Sequence, residues 1–139
     1  MIRMRLQCLS ILLLAGIVVG CGGGPDYKLG SVEGTVTLDE KPLADAELRF
    51  QPPQGRSSVA VTDQNGHYVL DYTTEQKGAE LGTHSVSITT LRSASGGEGE
   101  QPAVPGRDEL LPARYHAKTE LTADVKQGSN TIDFHLKSK

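Results

Sequence analysis

Ser57–Tyr72 reads SSVAVTDQNGHYVLDY, two alternating runs on either side of Asp63-Gln64-Asn65-Gly66. A period of two marks half-buried strands, because successive side chains leave a strand on opposite faces. The first run, Ser57–Thr62, offers Val59 and Val61 as its apolar pair. The second, His67–Tyr72, offers Tyr68, Leu70 and Tyr72. Asn-Gly between such runs is a strong hairpin signal, since the turn needs positive φ and these residues supply it cheaply. The stretch therefore predicts strand, turn, strand.

The same period runs outward in both directions. Ser31–Leu38 places Val32, Gly34, Val36 and Leu38 on one face, and Asp39-Glu40-Lys41-Pro42 follows as a turn. Ala46–Gln51 turns Ala46, Leu48 and Phe50 inward and stops at Pro52-Pro53, because proline cannot donate to a ladder. After a turn at Gly78–Gly82, Thr83–Leu91 aligns His84, Val86 and Ile88. Leu121–Lys126 aligns Leu121, Ala123 and Val125. Gln127-Gly128-Ser129-Asn130 reads as a turn, and Thr131–Leu136 points Ile132, Phe134 and Leu136 inward. No stretch carries a useful helical period. Seven short strands predict an all-β sandwich.

The N-terminus has a different character. Arg3 and Arg5 precede an apolar run, Leu6–Val19, that ends in Val18-Val19-Gly20-Cys21. The run is about 14 residues, short of the roughly 20 that span a bilayer as a helix. A short apolar core behind a positive start reads as a signal peptide, residues 1–20. Val18, Val19, Gly20 and Cys21 resemble the lipobox cut by lipoprotein signal peptidase. That resemblance implies that Cys21 becomes the first mature residue and carries a diacylglyceryl thioether, with further acylation. Gly22, in place of aspartate, favours the outer membrane by resemblance to enterobacterial sorting. Residues 21–30 are then a lipidated cysteine and a glycine-rich tether, and 31–139 the domain.

Cleavage would leave 119 residues, enough for one domain. It would reduce the 14 basic residues to 12 against 17 acidic, a net charge of −5, which gives no electrostatic reason to bind nucleic acid. Cys8 leaves with the signal and Cys21 is acylated, so no disulfide is expected.

Val32-Glu33-Gly34-Thr35-Val36 followed by Lys41-Pro42-Leu43-Ala44-Asp45-Ala46 resembles the start of carboxypeptidase regulatory-like domains. Thr62-Asp63-Gln64-Asn65-Gly66-His67-Tyr68 is similar to their central hairpin. Leu81-Gly82-Thr83-His84-Ser85-Val86 is similar to a later strand, with His84 where an aromatic is usual. Leu111-Pro112-Ala113-Arg114-Tyr115 resembles a segment of small bacterial lipoproteins carrying this domain. The resemblance implies a seven-stranded transthyretin-like, or prealbumin-like, Greek-key sandwich. Its implied setting is the cell envelope, and it specifies no substrate.

Chemistry-bearing patterns are sparse. Asp63-x-Asn65-Gly66 presents oxygens at alternate positions, but an EF-hand loop counted from Asp63 puts Thr74 where a bidentate Glu belongs, so a turn cap is the better reading. His67, His84, His116 and His135 form no pair with metal-ligand spacing. There is no G-x-S-x-G elbow. The chain end, Phe134–Lys139, lacks the Tyr-Arg-Gly-Ser ending of transthyretin-like hydroxyisourate hydrolases, and the first strand has no lysine for an isopeptide crosslink. No catalytic residue, metal or cofactor is assigned.

Residues 92–120 form the long connection, where function often resides. Ser93–Glu100 is Gly/Ser/Glu-rich and expected to be mobile. Leu110–Tyr115 is apolar enough to dock through Leu111 and Tyr115. It would then either cover a sheet edge or present Arg114 and Tyr115 to a partner, both types being common at interface hot spots. The expected function is a membrane-anchored, non-enzymatic binding or scaffolding lipoprotein that engages an envelope protein or glycan. The alternatives are an accessory to an envelope enzyme or transport system, and a small hydrolase on this scaffold.

Overall fold

The computed structural model describes residues 28–99 and 101–139. In chain order the strands are β1 (Leu29–Leu38), β2 (Lys41–Pro42), β3 (Glu47–Gln51), β4 (Ser58–Val61), β5 (His67–Val69), β6 (Ala79–Glu80) and β7 (Gly82–Thr89). A 3-10 turn at Ala113–Tyr115 precedes β8 (Leu121–Val125), β9 (Ser129–Thr131) and β10 (Phe134–Leu136). They form an all-β sandwich of two sheets.

One sheet is strictly antiparallel, in the order β4-β3-β7-β8. The other is built around β1. Along one edge β1 pairs antiparallel with β6, β5 and β2, and along the other it pairs parallel with β9 and β10. The inner faces close on Val32, Val36, Leu48, Phe50, Tyr68, Leu70, Val86, Ile88 and Leu136, each at most 1% exposed. Phe50 sits among Tyr68, His84 and Phe134, with ring centroids 5.9 to 6.4 Å apart. Such aromatic contacts add to area burial in a core with no tryptophan.

The inward sets expected on β1, β3, β7, β8 and the His67–Tyr72 run are the ones observed. Strand β4 has the opposite phase. Val59 and Val61 are 37% and 61% exposed, while Ser58, Ala60 and Thr62 are buried. The partners explain it. Phe50 lies opposite Ser58 and Leu48 opposite Ala60, so the large side chains of β3 leave room only for small ones. Thr62 also has work inside: its hydroxyl donates to the Leu43 carbonyl at 2.6 Å and accepts from Ala46 N–H at 2.9 Å.

The Asn-Gly turn is a turn, but not that of a simple hairpin. Strand β4 pairs with β3 in one sheet and β5 with β1 in the other, joined by a lone bridge between Val59 and Asp71. Gly66 takes a positive φ of 73°, and a Cβ there would lie 2.4 Å from the Val36 carbonyl oxygen. The turn thus docks on β1 and makes a corner between sheets. The two-residue turn with positive φ throughout is Asp39-Glu40, between β1 and β2.

The last strand is split. Ser129 and Asn130, expected in a turn, begin β9, and the chain breaks at Ile132-Asp133 before β10. At the break the Asp133 carboxylate accepts the Thr35 N–H at 2.7 Å, replacing a missing ladder acceptor. The Ile132 carbonyl approaches β1 so closely that a Cβ on Gly34 would meet it at 1.9 Å. Strand β1 also starts at Leu29, so Leu29 and Gly30 belong to the sheet rather than the tether.

These pairings give the sandwich two distinct ends. The start of β1 meets β6, the 52–57 turn, the 71–77 turn and Lys126–Gly128. The other end carries Asp39-Glu40, the 62–66 turn and residues 92–107. Among the described residues, no helix is long and apolar enough to cross a membrane.

Candidate functional site

Val18, Val19, Gly20 and Cys21, the residues that resemble a lipobox, lie outside the described residues. Arg114 and Tyr115 lie in the 3-10 turn, which opens at Pro112 and closes with Tyr115 N–H on the Pro112 carbonyl at 3.0 Å. The Tyr115 ring is buried beside Leu111 in the core. Its hydroxyl accepts the Lys137 N–H at 3.0 Å, and the Arg114 guanidinium donates to the Lys137 carbonyl at 2.9 Å while lying 4.8 Å from the Tyr115 ring centre. Burial opposes ionisation of the phenol, yet the Lys137 N–H and the Arg114 charge hold it below the ordinary tyrosine value. Leu111 and Tyr115 are therefore the anchors expected, and both site residues tie the chain end to the sandwich.

The same segment covers an edge. Strand β8 pairs with β7 only from Gly82 to Val86, leaving the rest of β7 open. Residues 109–119 fill that gap: the Thr119 hydroxyl donates to the Val86 carbonyl, and Glu109 holds Thr89 and Thr90. Covering an edge in this way removes a template for strand addition.

Glu109 is the residue that sequence reasoning missed. Its Oε1 accepts the Thr90 N–H at 2.9 Å, the Thr90 hydroxyl at 2.6 Å and the Leu111 N–H at 3.1 Å. Its Oε2 accepts the Thr89 hydroxyl and lies 3.9 Å from His116 Nε2. Burial raises its pKa, but these hydrogen bonds outweigh that and hold it down at about 2. Nothing local distinguishes Glu109 from the other carboxylates of the sequence; its role exists only where 109 meets 89 and 90.

Residues 92–99 and 101–107 pair through their backbones. Arg92 and Arg107 exchange backbone hydrogen bonds, as do Ser95 and Val104, so the stretch is an exposed two-stranded arm. Arg107 clamps its base, donating to the Thr90 carbonyl at 2.8 Å and to the Asp45 carbonyl.

The histidines are dispersed. His84 is fully buried, its Nε2 donating to the Glu80 carbonyl at 2.7 Å, with the ring against Phe50. His135 Nδ1 lies 3.0 Å from the Thr37 hydroxyl, and His67 lies 3.8 Å from Glu33. Asp63 Oδ1 accepts the N–H groups of Asn65 and His67, as a turn cap does. Among the described residues, no cluster of His, Cys, Asp and Glu could hold a metal ion.

A cleft of about 650 Å³ lies on the outer side of β3 and β4, bounded by the 52–57 and 71–77 turns. Arg49, Arg56 and Lys77 line it, with Asp71 as its carboxylate. A second hollow of about 520 Å³ adjoins it and shares Arg56 and Thr73. The cleft offers cationic forks and hydroxyls over a small apolar floor at Val59, which suits recognition of an anion.

No protein-family profile matches the chain, and no curated protein does. Among solved structures it is similar to a 9R-lipoxygenase from Cyanothece PCC8801, at 18% identity and a TM-score of 0.36. The match covers 76% of this chain and 16% of the lipoxygenase. A superposition that loose carries no argument about fold or activity.

Proposed function

We propose that this protein is a lipid-anchored, non-enzymatic binding or scaffolding module of the bacterial cell envelope, of the carboxypeptidase regulatory-like kind. The observation that supports this reading is the position of β1. It enters the sheet at Leu29, in register with β6, eight residues after Cys21. Eight extended residues reach at most about 28 Å. A domain acylated at Cys21 is thus held against its membrane, outside the cytoplasm, the outer membrane being the favoured one. Two or three acyl chains would hold it there, since each buried methylene contributes about 0.8 kcal/mol.

The paired residues 92–99 and 101–107 stand at the end of the sandwich away from β1's start, and on this reading they are the surface offered to a partner protein or glycan. The test is metabolic labelling with a radioactive fatty acid, combined with crosslinking in the native cell. The wild type should take label and Cys21→Ser should not. Label persisting in Cys21→Ser would overturn the anchor, and crosslinks through the arm would name the partner.

A further inference from the structure

We infer that the cleft between the 52–57 and 71–77 turns is a binding site for a phosphate-bearing ligand. Three cationic side chains, Arg49, Arg56 and Lys77, line the cleft with Asp71, while the Glu47 and Glu80 carboxylates lie behind Arg49 and the Arg56 backbone. Two of those cations are held loosely. Arg49 pairs with Glu47 at 3.2 Å and Lys77 with Asp71 at 2.5 Å, both pairs well exposed. Exposed pairs contribute about 0 to 1 kcal/mol, so an incoming anion can recruit them at little cost.

Arg56 is the centre of the site. Its backbone is fixed, the N–H donating to Glu80 Oε1 at 3.3 Å, and Tyr72 donates to the same oxygen at 2.9 Å. The Glu80 carboxylate also braces Gly55, where a Cβ would lie 2.5 Å from it. The Arg56 guanidinium, by contrast, has no partner among the described residues, and it sits where the two hollows join. The Thr74 hydroxyl and the Gln76 amide, one in each hollow, are likewise without a hydrogen-bond partner. A guanidinium fork with free hydroxyl and amide donors around it can meet two oxygens of a tetrahedral phosphate while the other donors reach the remaining ones.

The ligand has two sources, a lipid headgroup and free phosphate. The first rests on the anchored reading above. Lys77 leads into Gly78, whose backbone packs against the Gly30 carbonyl, and Leu81 N–H donates to the Lys28 carbonyl at 3.1 Å. The cleft therefore flanks the point from which the chain runs back to Cys21, within tether reach of the headgroups.

The test uses the full chain in non-ionic detergent micelles, followed by amide NMR. It is titrated with inorganic phosphate and, separately, with glycerophosphoglycerol, a deacylated diester headgroup. Saturating shifts are expected at Arg56, Ser57, Thr74 and Lys77, with affinity at least tenfold lower in Arg56→Gln and several-fold lower in Thr74→Val. Tighter binding of glycerophosphoglycerol supports the site with the headgroup as its ligand. Tighter binding of phosphate supports it with the free ion. Shifts absent from the cleft, or affinity unchanged in both variants with native spectra elsewhere, would overturn it. Should Arg56→Gln fail to fold, Thr74→Val alone decides. Because the micelle titration does not involve acylation, failure of the anchor and failure of the cleft are separate results.

Discussion

Replacing Glu109 with glutamine should remove one defined part of the acid sensitivity of the fold. The folded carboxyl titrates at about 2 against an ordinary 4.5. Between those values the unfolded chain binds the proton and the folded chain does not. The contribution is therefore complete above about pH 5 and is lost as pH falls toward 2. The shift corresponds to about 3 kcal/mol at neutral pH. Little is lost to solvent screening, since the side chain is only 20% exposed. Glutamine keeps one oxygen for the Thr90 N–H, the Thr90 hydroxyl and the Leu111 N–H, but sets an amide against the Thr89 hydroxyl and has no charge to strengthen these bonds. Urea unfolding followed by far-ultraviolet circular dichroism, repeated from pH 7 to pH 2, measures the difference. Glu109→Gln should be less stable by about 2 to 3 kcal/mol at pH 7, and the gap should close below pH 3. Asp39, whose pKa is lowered by its bonds with Ser138, is common to both proteins and cancels. Parallel stability curves across the whole range would refute the argument that hydrogen bonding outweighs burial at this carboxylate.

Two further outcomes follow from the packing. Gly34→Ala drives a methyl into the Ile132 carbonyl at 1.9 Å and should cost about 3 kcal/mol or more, read as a drop in urea midpoint; a change under 1 kcal/mol would show that the β9–β10 break can shift. Arg107→Ala removes the clamp on the Thr90 and Asp45 carbonyls and should speed hydrogen exchange at Arg92, Ser95 and Val104 without loss of global stability. Unchanged exchange there would mean that the arm is held by its own ladder.

The features legible in the sequence are those with one strong local cause. In β1, β3, β7 and β8 a single apolar phase alternates with polar residues, so the inward face is unambiguous. Leu111 and Tyr115 are among the few apolar residues of a polar connection, and both dock, while the neighbouring Leu110 stays 58% exposed. Strand β4 offers two phases, valine at 59 and 61 or small residues at 58, 60 and 62. The choice belongs to Leu48 and Phe50 across the sheet. The candidate cleft was equally hidden. Arg49, Arg56 and Lys77 are scattered singly along the chain, and each alone reads as a solvated surface charge.

By itself, then, the sequence determined that the domain is a β-sandwich and which residues fill most of its core. Alternation and short motifs depend only on neighbours along the chain. Tertiary structure decided the phase of β4, the corner made by the Asn-Gly turn, the Glu109 cluster and the cationic cleft. Each depends on volume, hydrogen-bond demand or charge brought together from distant positions, and no local pattern encodes those sums.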